Sequence, residues 1–310
     1  MALITIATAP KPFANPHIAV IQWNAIQSWL HLGSDVDVLL VGDEPGMTET
    51  ASELGVRQVK EVALNSLGTP LVSSIFLLLR QSSASPVLVY ANADILILPQ
   101  LVEVIHQITR QKNQFLVVGQ RWDLDIRQRM DFSSGWVERL QTELQSHGQL
   151  HPRGGSDYFI FPRQCFSNVP DFAIGRAGWD NWMLFYARQE AYPLVDATSA
   201  LTVIHQNHDY SHLPGGQPHY RLPETDDNTR MAGGRRAIFT LMDAEFSLKN
   251  GQLQRLPLDA TKILREVEIF PLVRLHWRWL GELFFMFFHP RRALAEWRGR
   301  LAYRFRRIRK

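Results

Sequence analysis

Cysteine is nearly missing from this chain. The 310 residues hold one, Cys165, which excludes an intramolecular disulfide and any cysteine-rich zinc or iron–sulfur site. Cys165 reads instead as a small buried hydrophobe. Glycine (19) and proline (17) are too scarce for a collagen-like or low-complexity chain. No apolar run reaches the ~20 residues of a membrane-spanning helix. The longest, Trp279–Phe288, is broken by Glu282. The apolar start, Met1–Ala7, is too short for a signal segment and lacks a basic flank. With no export signal and no disulfide, the expected compartment is the cytoplasm. A His-Glu-x-x-His pattern is missing, which argues against a zinc hydrolase.

What is present describes a globular protein. Hydrophobic residues make up 45% and charged residues 20%, which excludes disorder over the whole chain. At roughly 100–200 residues per domain, the length allows one large domain or two smaller ones. The net charge of +3 is unevenly spread. Arg265–Lys310 carries 12 basic and 4 acidic residues, a net of +8, and the remainder carries 21 and 26, a net of −5. A mildly acidic body argues against a nucleic-acid partner.

The first third alternates strand and helix signals. Strands are predicted at Leu3–Ala7, Val36–Val41, Val56–Val59, Val87–Ala91 and Phe115–Val118. Asn15-Pro16 predicts a helix start, with Asn as cap and Pro at the first helical position. Gly33 stops that helix, and Gly55 closes a short one over Thr48–Leu54. Thr69-Pro70 has the same cap-plus-proline form and predicts a helix through Leu79; Pro99 opens another. Further on, a helix is expected over Ser133–His147 and strands at Tyr158–Phe161 and Thr202–Ile204. Trp182–Gln189 reads as helical, His208–Asp227 as loop, and everything from Thr261 onward as basic amphipathic helix. The alternation predicts an α/β fold with a mainly parallel, mixed sheet and helices on both faces.

In such a sheet, ligands bind at the carboxyl ends of the strands. The Val87–Ala91 strand runs into Asn92-Ala93-Asp94. Residues i and i+2 of an extended chain point the same way, so Asn92 and Asp94 would offer two oxygens to one spot. That pair suits Mg2+ or Mn2+. Gly154-Gly155 allows a ligand close to the backbone. In Gly178-Trp179-Asp180-Asn181-Trp182, the Trp179 and Trp182 faces could stack on a sugar while Asp180 and Asn181 bond its hydroxyls.

A buried apolar strand ending in this triplet resembles the nucleotide-sugar site of a GT-A-fold glycosyltransferase, family-2-like. The resemblance covers roughly residues 3 to 212. It implies a catalytic domain over 1–260, with a nucleotide-sugar half at 1–118 and an acceptor half at 119–260. It further implies a UDP- or GDP-sugar donor and a divalent metal held by Asp94; a glycan or lipid-linked acceptor is suggested only by the tail at 261–310. Asn92 departs from the family's acid. The resemblance assigns Ala9, Pro10, Lys11 and Phe13 to the nucleotide, with Lys11 on a phosphate and Phe13 beside the base. Asp43 would face base or ribose, and the helix after Thr69 would aim at the donor. Asp180 becomes the base of an inverting reaction, with Asp157 as fallback. Gly155, Trp179, Asn181 and Trp182 would hold the acceptor. His205 matches the C-terminal metal ligand, and as an imidazole it favours Mn2+. His208 and His212 would reach the diphosphate.

The tail at 261–310 mixes Arg with Trp, Leu and Phe, a composition that suits an anionic membrane surface. The alternatives are packing on the body or on a second subunit. Two rival readings stay open for the whole chain. One is a nucleotidyltransferase, against which stands the lack of a Gly-rich basic loop after the first strand. The other is a non-catalytic carbohydrate-binding or membrane-adaptor protein on a degenerate transferase fold.

Overall fold

A computed structural model describes residues 2–209 and 222–298. The chain divides into two compact units, one of residues 1–187 with 192–256, the other of 188–191 with 257–310.

The first unit opens with β1 (Ile4–Thr8), α1 (Pro16–Leu30), β2 (Val36–Val41), α2 (Met47–Leu54) and β3 (Arg57–Val59). There follow α3 (Val72–Ser82), β4 (Val87–Ala91), β5 (Ile95–Ile97), α4 (Gln100–Thr109), β6 (Leu116–Val118) and β7 (Trp122–Leu124). Next come α5 (Trp136–His147), β8 (Gln149–Leu150), β9 (Tyr158–Pro162), α6 (Trp179–Gln189), β10 (Leu194–Asp196) and β11 (Val203–Gln206). The last elements are α7 (Pro223–Met231), β12 (Phe246–Lys249) and β13 (Gln252–Arg255).

Nine strands form one mixed sheet in the order β13-β12-β10-β6-β9-β4-β1-β2-β3. Antiparallel pairing is limited to β9 against its two neighbours and to the β12–β13 hairpin. The expected mainly parallel, mixed α/β sheet is therefore what forms. β4 is buried along its whole length, as an apolar run in a sheet covered on both faces must be. Its Val89 and Ala91 pack with Trp29 of α1, while Tyr90 stacks on Phe76 of α3. Alternate side chains thus meet helices on opposite faces.

Local signals were reliable where no distant contact competed. Asn15 caps α1 through its side chain, accepting from the His17 and Ile18 backbone N–H groups, with Pro16 at the start. Gly55 ends α2 at φ 65°, a conformation glycine adopts without cost. Thr69-Pro70 does not open a helix. α3 starts at Val72 behind Leu71, because Pro70 is held by a bridge to Leu64 and Leu71 by one to Ala173. α5 is preceded by Gly135 rather than capped by Ser133, whose hydroxyl turns to Asp131. Part of the expected loop before Asp227 is the helix α7, begun by Pro223.

A second sheet, β5-β11-β7-β8, lies beyond the carboxyl end of β4. It was not foreseen. Its strands are two to four residues long, and their partners are distant in sequence. This sheet places the site. β11 runs antiparallel to β5, with His205 opposite Ile95, and parallel to β7, with His205 opposite Asp123.

In the second unit, α8 (Ala260–Val273) is capped by Asp259, and α9 (Arg278–Phe288) follows after a short turn. Residues 290–298 are also helical. Gly281 lets α9 approach Leu272 more closely than a Cβ would allow. Trp277, Trp279 and Phe287 are exposed.

Candidate active site at the carboxyl edge of the sheet

β1 lies between β2 and β4, where the strand order reverses. In open α/β sheets the ligand crevice lies outside the carboxyl ends at such a point. Two segments leave there, Ala9–Phe13 after β1 and Asn92–Asp94 after β4.

The first segment is clamped from α1. The buried Gln22 accepts from the Lys11 backbone N–H at 2.6 Å and donates to its carbonyl at 2.9 Å. Pro10 is buried and Ala9 half-buried. Phe13 is half-buried against the core, its N–H bonded to the Pro45 carbonyl. Asp94 is held from β11. Gln206, fully buried, donates its backbone N–H to the Asp94 carbonyl at 3.1 Å, while Asn24 of α1 donates to the Gln206 side-chain oxygen at 3.0 Å. Buried polar residues on α1 and β11 thus position both edges of the crevice.

Asp94, His205 and His208 come together with one ligand atom each inside 4.8 Å of the others. His208 Nε2 is 3.1 Å from Asp94 Oδ2, and Lys11 Nζ is 3.3 Å from that oxygen and 3.1 Å from His208 Nε2. Asp94 Oδ1 is buried and has no hydrogen-bond partner. Burial pushes the Asp94 carboxyl up, but the Lys11 charge, a hydrogen bond from His208 and the charges of both histidines outweigh it. They hold Asp94 well below the usual carboxylate range. His208 Nδ1 is 2.7 Å from the Asp209 carbonyl, which can only accept, so Nδ1 carries the proton. Neutral His208 therefore presents a lone pair at Nε2, toward Asp94 and Lys11; charged, it donates to Asp94.

His205 is backed by a second carboxylate. Its Nδ1 lies 3.2 Å from Asp123 Oδ1, close but off the hydrogen-bonding direction, so Nδ1 has no aligned partner. Asp123 also meets Arg121 Nε at 2.9 Å and His151 Nδ1 at 2.6 Å. Burial raises its carboxyl, but these three neighbours hold it far below the normal range. Arg121 continues the chain of charges to Asp157, at 2.6 Å.

Other expected residues take different places. The Asn92 side-chain amide donates to Asp157 Oδ1 at 2.9 Å and its backbone N–H to the Asp157 carbonyl, which ties the end of β4 to that residue. Both oxygens of Asp157, expected as a fallback base, are thus engaged, one by the Asn92 amide and one by the Arg121 guanidinium. Trp179 and Trp182 are 4% and 5% exposed. Trp179 packs on Tyr90 and Phe159, and Trp182 on Phe172 and Tyr186. Expected as sugar platforms, both rings are packed among other aromatics in this structure. Asn181 donates to the Gly154 and Phe239 carbonyls. A Cβ at Gly155 would meet nothing within 4 Å.

Asp180, in the first turn of α6, accepts from the Gly178 N–H at 3.2 Å. Burial, reinforced by the Asp157 charge, pushes its carboxyl up to about 6. Asp43 stands exposed after β2 and pairs with Lys60 at 3.1 Å. Thr69 joins a buried knot in which Glu224 holds Arg176 at 2.6 Å and Asn65 at 2.6 Å. His212 lies outside the described residues.

Sequence reading missed Asp123, Arg121, His151 and Gln206. No local pattern marks them; their roles arise from strand pairing alone.

No family model matches the sequence, and no curated protein matches it. Some solved structures are similar. Glucosyl-3-phosphoglycerate synthase from Mycobacterium tuberculosis, solved with Mn2+, UDP-glucose and phosphoglyceric acid, is 16% identical at a TM-score of 0.45, over 84% of this chain and 88% of that one. A mannosyltransferase from Pyrobaculum calidifontis, in complex with GDP-Man and Mn2+, is 8% identical at 0.42, over 68% and 58%. A structure from Desulfovibrio desulfuricans, described as a putative nucleotide-diphospho-sugar transferase, is 13% identical at 0.40, over 64% and 80%. Likeness at this level does not assign a chemistry to the chain.

Proposed function

We propose that this chain is a glycosyltransferase that moves a sugar from a UDP- or GDP-sugar to an acceptor hydroxyl, with inversion and with a divalent metal. The observation that carries the reading is Asp94 Oδ1, a buried carboxylate oxygen with no partner, beside two imidazoles at the strand-order reversal. A buried carboxylate oxygen without a hydrogen bond is costly unless a ligand completes it.

The donor set fits a metal. Asp94, His205 and His208 would hold it, and one carboxylate with two imidazoles favours Mn2+ over Mg2+. Bound there, the ion would offset negative charge on a departing diphosphate. The chain's own residues supply the rest. Lys11 brings a positive charge to the same edge. Asp180 takes the acceptor proton, a role its raised pKa suits near neutral pH. Gly155 leaves room for a ligand beside the loop.

Acceptor and compartment follow from the second unit. Its exposed Trp277, Trp279 and Phe287, with the net +8 of the C-terminal segment, support contact with an anionic membrane and a lipid-linked or glycan acceptor. The protein would then work at the cytoplasmic membrane face without spanning it. Among the described residues no helix is long and apolar enough to cross.

The test is melting temperature against a panel of nucleoside diphosphates, with and without Mn2+. Ligand at 100 times its dissociation constant adds about 2.7 kcal/mol. A Mn2+-dependent shift with UDP or GDP, lost in Asp94→Ala, is expected. No shift with any nucleotide would return the chain to the non-catalytic reading.

A further inference from the structure

The position of Lys11 carries an inference beyond the metal site itself, although it rests on that reading. Its ammonium sits 3.3 Å from Asp94 Oδ2 and 3.1 Å from His208 Nε2, two of the three groups that would ligate a metal. In its neutral form, with the proton on Nδ1 beside the Asp209 carbonyl, His208 offers its Nε2 lone pair to Lys11. An ammonium and a divalent ion cannot share those lone pairs, and their charges repel.

We propose that Lys11 is the resident cation of the site, and that it must leave Asp94 and His208 before a divalent ion can bind there. The residue is built for such an exchange. Its backbone is locked by the pair of bonds to buried Gln22, while its side chain is about one-third exposed. The stem can swing without disturbing the loop. An ammonium withdrawn from a carboxylate needs another anion. A diphosphate arriving at the same strand edge supplies one, and a compact, flexible ammonium suits a phosphate. Mn2+ and nucleoside diphosphate then bind cooperatively: alone, the metal must displace an ion pair; with the nucleotide, the pair is re-formed elsewhere. By linkage, the metal tightens nucleotide by the same factor.

The experiment is a Mn2+ titration of the full chain, read by the EPR signal of free Mn2+, with and without UDP or GDP. Wild type, Lys11→Met, Lys11→Arg and Asp94→Ala are compared after matching their melting temperatures. Without nucleotide, Lys11→Met is expected to bind Mn2+ about tenfold or more tighter than wild type, and Lys11→Arg to resemble wild type. Nucleotide is expected to tighten Mn2+ binding in wild type by about tenfold and in Lys11→Met by clearly less. Equal Mn2+ affinity in wild type and Lys11→Met, with Asp94→Ala still abolishing binding, overturns the exchange and leaves the metal site standing. No Mn2+ binding by any form, with or without nucleotide, overturns the metal site and the exchange together.

Discussion

Asp123 Oδ1 lies 3.2 Å from His205 Nδ1, across one rung of the pairing between β7 and β11. The same imidazole is one of the three groups gathered with Asp94 and His208. A carboxylate so close to a ligating histidine raises its basicity through charge, without an aligned hydrogen bond.

Asp123→Asn is therefore expected to weaken Mn2+ binding by about 10- to 100-fold while leaving the three ligand residues in place. A Mn2+ titration checks this. An unchanged affinity would make Asp123 a partner of Arg121 and His151 only.

Asp180 sets a pH dependence. With its carboxyl raised to about 6, the folded protein holds a proton there that the unfolded chain releases near the ordinary value of 3.8. Stability from this group is present below pH 3.8 and is lost as pH rises through about 6. Asp180→Asn should thus melt like wild type at pH 4 and at or above it at pH 7.5. In the same range kcat/KM of the wild type should rise with pH to a plateau above about 6, and the substitution should cost about 10²- to 10⁴-fold. Full turnover by Asp180→Asn would remove the base and the inverting assignment with it.

Trp179→Ala separates a packing role of the tryptophans from a sugar-binding one. As a buried ring against Tyr90 and Phe159, its loss should cost about 3–5 kcal/mol of stability. Trp179→Phe should recover most of the melting temperature and leave acceptor KM unchanged. A selective rise in KM at full stability would restore the platform reading.

Gln206→Leu removes the side-chain bonds to the Asp94 carbonyl at 3.3 Å and the Ile21 carbonyl at 2.7 Å, and takes from the Asn24 amide one of its two acceptors, while the backbone bond to Asp94 remains. Leaving a buried polar group unpaired costs about 1–3 kcal/mol, to be read in the melting temperature. Mn2+ affinity should fall as well, because one of the two bonds Gln206 gives to the Asp94 carbonyl is gone.

The parallel half of the large sheet, the cap at Asn15 and the stop at Gly55 could be read in advance, because each depends on residues adjacent in the chain. Hydrophobic runs, a capping oxygen and a glycine act within a turn or a strand. The place of Asp94 just past an apolar strand was legible for the same reason, whereas Lys11 was singled out only through the resemblance. Thr69-Pro70 misled because its capping pattern was overridden by the bridges of Pro70 to Leu64 and Leu71 to Ala173. The burial of Trp179 and Trp182 was not legible, because an aromatic pair beside an acid reads alike whether it lines a cleft or fills a core.

Composition and pattern alone determined that the chain folds as α/β, that its basic charge lies at the C-terminal end, and that Asp94 closes a buried strand. Only tertiary pairing decided that His205 faces Asp123, that His208 joins Lys11 at Asp94, and that Asp157 is bound to Arg121. Those contacts join residues far apart in sequence through strands too short to announce themselves. The energy that selects them, the pairing of buried charges and backbone groups, exists only once the chain has closed around them.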